Sequence, residues 1–151
     1  MHAITIQEFA DRLTEIMSVV IREFTKQQTN ELHKGKVNVP QFLILNHLLQ
    51  NKESNMKELS RVINLTGAAT TGVVDKLVSS NYVVRSFDPN DRRVIKIRLT
   101  AKGRKLIFRV YDERKKVIMS LFQKVSEPDR REYLRILNQI KVALNREHNL
   151  S

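Results

Sequence analysis

The sequence predicts a mainly α-helical fold interrupted by one small β-hairpin, and three observations carry that expectation. Apolar residues recur at steps of three and four along most of the 151 residues. That period gives way to β-rich, partly alternating sequence between Tyr82 and Leu99. With 4 Gly and 3 Pro, the chain has little material for long loops. A 41% hydrophobic content over this length suffices for a single domain, residues 1–151, with a buried core.

Ile6, Phe9, Ala10, Leu13, Ile16, Met17, Val20, Ile21 and Phe24 mark a long amphipathic helix from Thr5 to about His33, ended by Gly35. A second helix carries Phe42, Leu43, Leu45, Leu48 and Leu49, with Pro40 in its first turn, where a missing N–H costs nothing. Asn55 and Glu58 stand three apart just before Leu59, a capping-box arrangement that heads a short helix, Met56 to Ile63. Thr66 is a good N-cap for the next helix, from about Gly67 to Ser79. Two short helices joined by about three residues form a helix-turn-helix.

Tyr82 to Phe87 and Val94 to Leu99 are rich in β-formers, and Asp88-Pro89-Asn90-Asp91 between them is turn chemistry throughout, so the pair reads as a hairpin, or wing. Thr100 caps a long helix to about Lys124, with Leu106, Ile107, Val110, Tyr111, Val117, Ile118, Leu121 and Phe122. Ser126-Glu127-Pro128 opens a last helix bearing Tyr133, Leu134, Leu137, Ile140, Val142 and Leu144. Residues 38–99 are thus expected to form a winged helix-turn-helix lobe. Residues 5–33 and 100–151 are expected to form a helical dimerisation region, because a monomer has too little surface to cover its apolar stripes.

Charge narrows the function. The chain has 27 Lys and Arg against 16 Asp and Glu, a net of +11. From Arg85 to Lys116 there are twelve basic and four acidic residues, a net of +8. Such an excess biases the molecule toward polyanions. Cysteine is absent, which excludes disulfides, thiol catalysis and thiol redox sensing. No apolar run reaches the roughly 18 residues needed to span a bilayer, and Met1 to Ala10 lacks the order of a signal peptide, so a cytoplasmic protein without membrane partners is expected. His2, His33, His47 and His148 are scattered without metal-ligand spacing, and no phosphate-binding or nucleophile motif is present. No metal, cofactor or catalytic activity is expected.

Double-stranded DNA is the partner these features suit. In the Gly67–Ser79 helix, Val73, Val74, Leu77 and Val78 mark the inward side, leaving Ala68, Ala69, Thr71, Gly72, Asp75 and Lys76 outside. Small residues let such a helix approach base edges, and Thr and Ala methyls can meet the thymine methyl. Thr66 is placed for a phosphate and Lys76 for a phosphate or a guanine. Thr70 falls between the two sides and serves either the groove or the core. At the hairpin tip, Arg93 is assigned to minor-groove insertion and Arg92 to a phosphate or second groove contact, with Asp91 holding the Arg93 guanidinium by a bidentate contact.

Asp88-Pro89-Asn90-Asp91-Arg92-Arg93-Val94-Ile95-Lys96-Ile97-Arg98-Leu99-Thr100-Ala101-Lys102-Gly103 resembles the wing signature of the MarR family of bacterial transcriptional regulators, D-x-R-x5-L-T. Thr66 to Leu77 is similar to that family's recognition helix, and element order and length match across nearly the whole chain. The resemblance implies an obligate homodimer on a palindromic operator. It also implies, as in many members, a small-molecule effector pocket between the dimerisation region and the DNA-binding lobe. The expected function is therefore a sequence-specific regulator, a repressor. A nonspecific architectural DNA-binding protein is the alternative, and it would need no defined major-groove reader.

Overall fold

A computed structural model describes residues 3–27 and 37–148, with side chains as far as Arg146. Among the described residues the elements run α1 (Ile6–Gln27), α2 (Val39–Asn51), β1 (Glu53–Asn55), α3 (Met56–Ile63), α4 (Gly67–Ser79), β2 (Val83–Phe87), β3 (Ile95–Leu99), α5 (Ala101–Phe122) and α6 (Glu127–His148). The expected continuation of the first helix to His33 and its stop at Gly35 lie outside the described residues, as does His2.

Local chemistry sets most helix starts. Thr5 and Glu8 bond reciprocally at the head of α1, with N–H to oxygen distances of 3.1 and 2.9 Å. Asn55 and Glu58 do the same for α3 at 2.9 and 3.1 Å, so both halves of the expected capping box are made. A second such box, Asn38 with Gln41, fixes α2 alongside Pro40. Thr66 accepts from the Ala69 N–H at 3.3 Å to start α4, and Asn64 turns the chain between α3 and α4 with φ 51°.

The sheet has three strands rather than the expected two, in the order β1-β3-β2 and antiparallel throughout. Strand β1 is Glu-Ser-Asn, with no β-forming residue in it. It forms because β3 has an open edge, on which Ser54 stands opposite Ile97. Pairing partners decide such a strand; its own side chains do not.

One core unites these pieces. Phe42, Ile44, Leu45 and Leu48 of α2 are buried with Leu59 and Ile63 of α3, Val74 and Leu77 of α4, and Val83 and Ile97 of the sheet. Each such side chain contributes roughly 1.5–3 kcal/mol. Leu106, Ile107 and Val110 join the same cluster. The lobe's core therefore extends past Leu99 into the first three turns of α5.

Thr100 links the sheet to α5. Its N–H donates to the Tyr82 carbonyl at 3.1 Å, and its hydroxyl donates to the Asn81 carbonyl at 2.7 Å while accepting from the Gly103 N–H at 2.9 Å. Gly103 consequently lies directly against the Tyr82 peptide.

The chain divides into two compact units, one ending at Arg114 and the other beginning at Lys115. In the second, Ser126 caps α6 by accepting from the Asp129 N–H at 3.3 Å. The Arg130 guanidinium closes the end of α5 by donating to the Phe122 and Val125 carbonyls at 3.2 and 2.9 Å. The rings of Phe122 and Tyr133 lie 5.4 Å apart.

Candidate nucleic-acid interface

Helix α4 separates its residues as its period requires. Thr70, Val74 and Leu77 are buried, while Gly67, Ala68, Ala69, Thr71, Gly72, Asp75 and Lys76 are exposed, with the Thr66 cap beside them. Of the two roles open to Thr70, the structure takes the core. Thr70 is fully buried, its hydroxyl donating to the Thr66 carbonyl at 2.8 Å and accepting from the Ser60 hydroxyl at 3.0 Å. It ties α3 to α4 and is removed from the groove-facing set. Thr71 spends its donor on the Gly67 carbonyl at 2.9 Å, so it offers an incoming surface a methyl group and acceptor lone pairs.

Gly72 sits in mid-helix, where glycine is about 1 kcal/mol worse than alanine. A Cβ built there, or on Gly67, meets nothing within 4 Å. Nothing inside the lobe requires these glycines. What they leave open is space outside α4.

The wing loop is ordered by its own acids. Asp88 accepts from the Asn90 N–H at 2.8 Å, and Asp91 accepts from the Arg93 N–H at 2.9 Å. Asp91 therefore departs from its expected role: it holds the Arg93 backbone N–H and not the guanidinium. A two-carbon side chain reaches the N–H two residues on without spanning the length of an arginine. Arg92 and Arg93 are exposed, and neither guanidinium has an acidic partner among the described residues.

Other cations of the basic stretch are not available in the same way. Arg85 meets Asp75 of α4 at 2.5 Å. Lys96 meets Glu53 at 2.7 Å and Asp88 at 3.0 Å, and Arg98 meets Glu53 at 2.6 Å. Hydrogen bonds from Lys96 and then Arg98 hold the Glu53 carboxyl below the usual carboxylate range. Those same contacts, Glu53 first and Asp88 second, push Lys96 up. Asp75 and Glu53 lie outside the Arg85–Lys116 stretch in sequence, so its count of +8 overstates the charge that the wing presents.

His47 has a structural place. Its Nε2 lies 3.2 Å from the Ser54 hydroxyl, which donates to Glu58 at 2.7 Å, so the ring braces α2 against the β1–α3 junction. Among the described residues no group of three His, Asp or Glu side chains is placed to hold a metal ion, and no helix is long and apolar enough to cross a membrane.

An exposed helix of small and polar residues, preceded by a tethered partner helix and followed by an arginine-tipped hairpin, is the arrangement that winged-helix proteins use on duplex DNA. Comparison with known proteins agrees. Residues 37–95 match the model of the MarR family. The chain is 29% identical over 110 residues to the uncharacterized HTH-type transcriptional regulator YsmB of Bacillus subtilis, covering 72% of this chain and 75% of that protein. It is similar to the crystal structure of transcriptional regulator Tm0710 from Thermotoga maritima, with 26% identity, a TM-score of 0.67 and coverage of 95% and 98% of the two chains. It shares its fold with BpsR of Bordetella bronchiseptica, whose structure concerns regulation of DNA binding by 6-hydroxynicotinic acid. In that case identity is 18%, the TM-score is 0.63, and 86% and 98% of the two chains are covered.

Proposed function

We infer the detailed function of this chain from its membership of the MarR family, which residues 37–95 carry. It is a DNA-binding transcriptional regulator, and its relatives are regulators rather than enzymes. Beyond that, our reading is a cytoplasmic homodimeric repressor that binds a palindromic operator and is released by a small-molecule effector.

The observation that carries the DNA-reading part is the outward face of α4. Thr66, Ala68, Ala69, Thr71, Gly72 and Lys76 are exposed there, while Thr70, Val74 and Leu77 anchor the helix from behind. On this reading the small residues seat the helix in a major groove, Lys76 takes a phosphate or a guanine, and Arg92 and Arg93 grip the adjacent minor groove. A merely architectural binder has no use for a mid-helix glycine that faces open space. Gly72→Ala is accordingly expected to raise stability by about 0.5–1 kcal/mol while weakening operator binding several-fold. Thermal melting and a binding titration on one preparation check it, and a variant that gains stability and keeps full affinity removes Gly72 from the interface.

The homodimer is supported by apolar faces that the chain leaves exposed. Ile6, Phe9, Leu13, Ile16 and Ile21 of α1 stay between 42% and 83% exposed, and Tyr133, Leu134, Leu137, Ile140 and Leu144 of α6 between 42% and 60%. Burying them against a second copy removes a liability from each chain. Two-fold pairing would also place two copies of α4 roughly 34–36 Å apart, one DNA turn. Effector release rests on the likeness to BpsR and on the family resemblance.

Selection of bound sequences from a random duplex pool tests this function most directly. A palindromic site preferred over random duplex by about a thousandfold or more is expected, together with a sedimentation mass of two chains at micromolar concentration. Equal affinity for both duplexes establishes the architectural alternative, and a single-chain mass ends the dimer reading.

A further inference from the structure

One aromatic ring of the wing is left uncovered by the lobe. Phe87, the last residue of β2, is 66% exposed, more than any other large apolar side chain among the described residues except Ile6. It belongs to neither α1 nor α6, whose apolar faces the dimer reading covers. Side chains of β2 alternate, so Val83, Arg85 and Phe87 share one face. Val83 is buried in the core and Arg85 reaches Asp75 of α4 at 2.5 Å, so this face turns toward α4. The three stand opposite Leu99, Ile97 and Ile95 of β3. Ile95 packs against the core, whereas Phe87 is no part of it. Immediately beyond, the Asp88 N–H donates to the Val94 carbonyl at 3.0 Å and closes the hairpin that carries Arg92 and Arg93.

We propose that Phe87 is a further DNA-contacting residue, whose ring packs on the deoxyriboses of the strand that runs between α4 and the wing tip. The proposal rests on the DNA-binding reading above. Along the face turned to α4, the order outward is Arg85, tied to the helix, then Phe87, then the tip with Arg93. A duplex that touches both the outer side of α4 and Arg93 passes over the position between them. The arginines of the tip suit phosphate oxygens, and an aromatic ring does not. The sugar is the apolar part of the backbone, and it walls the minor groove. Burying the ring there removes from water an apolar surface that the free protein exposes. Such a contact fixes the register of the protein on the duplex. Unlike a cation on a phosphate, it releases no counterion, so its worth does not fade with salt.

Phe87→Ala, Phe87→Leu and Phe87→Trp test this. Each is titrated with the selected operator over a range of salt, and its melting temperature and sedimentation mass are recorded. Phe87→Ala is expected to weaken binding by about tenfold at every salt concentration. Its slope of log K against log salt and its melting temperature should match wild type, and Phe87→Leu should recover most of the loss. Affinity within twofold of wild type in Phe87→Ala overturns the proposal. So does a slope shallower by about 0.9, which marks a lost cation contact. Loss of the two-chain mass that wild type shows also overturns it, since the ring then serves a second copy. The chain has no tryptophan, so Phe87→Trp supplies a single indole reporter at this position. Saturating operator should shield its emission from acrylamide. Equal quenching with and without DNA overturns the proposal, even where Phe87→Ala binds poorly or fails to fold. Wild-type protein that ignores duplex DNA at low salt overturns the DNA-binding reading and this proposal with it, a result distinct from any difference between variants.

Discussion

Gly103→Ala is expected to destabilise the protein by about 3 kcal/mol, although alanine is ordinarily the better helix former by about 1 kcal/mol. A Cβ at position 103 falls 2.0 Å from the Tyr82 carbonyl oxygen, 2.9 Å from its carbon and 3.2 Å from Leu99 Cδ2. The carbonyl cannot swing aside cheaply. It accepts from the Thr100 N–H at 3.1 Å, and the Thr100 hydroxyl, which donates to the preceding Asn81 carbonyl, in turn caps α5. Relief of the clash means moving α5 off the sheet and exposing Leu106 and Ile107, both fully buried. Urea unfolding should show a lower midpoint at unchanged slope. The same substitution at Gly72 is expected to have the opposite sign, because a methyl there meets nothing. A Gly103→Ala protein as stable as wild type would mean that α5 is not seated on Tyr82 as described.

Helix boundaries were legible in the sequence wherever a short-range rule governs them. The Asn55–Glu58 box, the Thr66 cap and the Thr100 cap each act within three residues, and all three are present. The winged-helix topology followed from them together with the change of hydrophobic period. Strand β1 was not legible, since Glu53, Ser54 and Asn55 have no pattern of their own and acquire a strand conformation from β3, more than forty residues away in sequence. The split within α5 has a local signal, masked by the continuity of the helix. Its apolar stripe lapses over Asp112-Glu113-Arg114-Lys115-Lys116, between Tyr111 and Val117, and there Leu106, Ile107 and Val110 of the winged-helix core give way to a second unit beginning at Lys115.

The candidate site was legible as a set of exposed residues and illegible as a set of charges. Periodicity alone assigned the outer face of α4 and left Thr70 undecided; its hydrogen bond to Ser60, ten residues earlier, settles the position. Which cations remain free depends on acids that a local count cannot weigh. Glu53 is 43 residues from Lys96 and 45 from Arg98, and Asp75 is 10 from Arg85. The nearest available signal was the alternation of basic and apolar residues in β3, which placed Lys96 and Arg98 together on one face. It gave no hint of the acid waiting on the neighbouring strand.

Those pairings leave the wing tip with the cations best able to reach DNA, and the second large expected effect follows. Arg93→Ala should weaken operator binding by about 2 kcal/mol, roughly thirtyfold, with no loss of thermal stability, since the Arg93 side chain is exposed and its N–H bond to Asp91 is backbone-based. The Asp91 contact fixes the loop beneath Arg93 while leaving the guanidinium unclaimed, which suits a side chain that must enter a narrow groove of focused negative potential. Charge alone is a rival explanation, and two further arms separate it. Arg93→Lys keeps the charge and loses the planar fork, so a groove contact predicts a substantial loss and a phosphate contact a small one. Replacing A·T by G·C pairs where the wing meets the operator widens the groove and should weaken wild type. Arg93→Ala should be nearly indifferent to that change, its side chain no longer being there to read it. If Arg93→Ala binds within twofold of wild type, the wing does not grip the minor groove, and specificity must come from α4 alone.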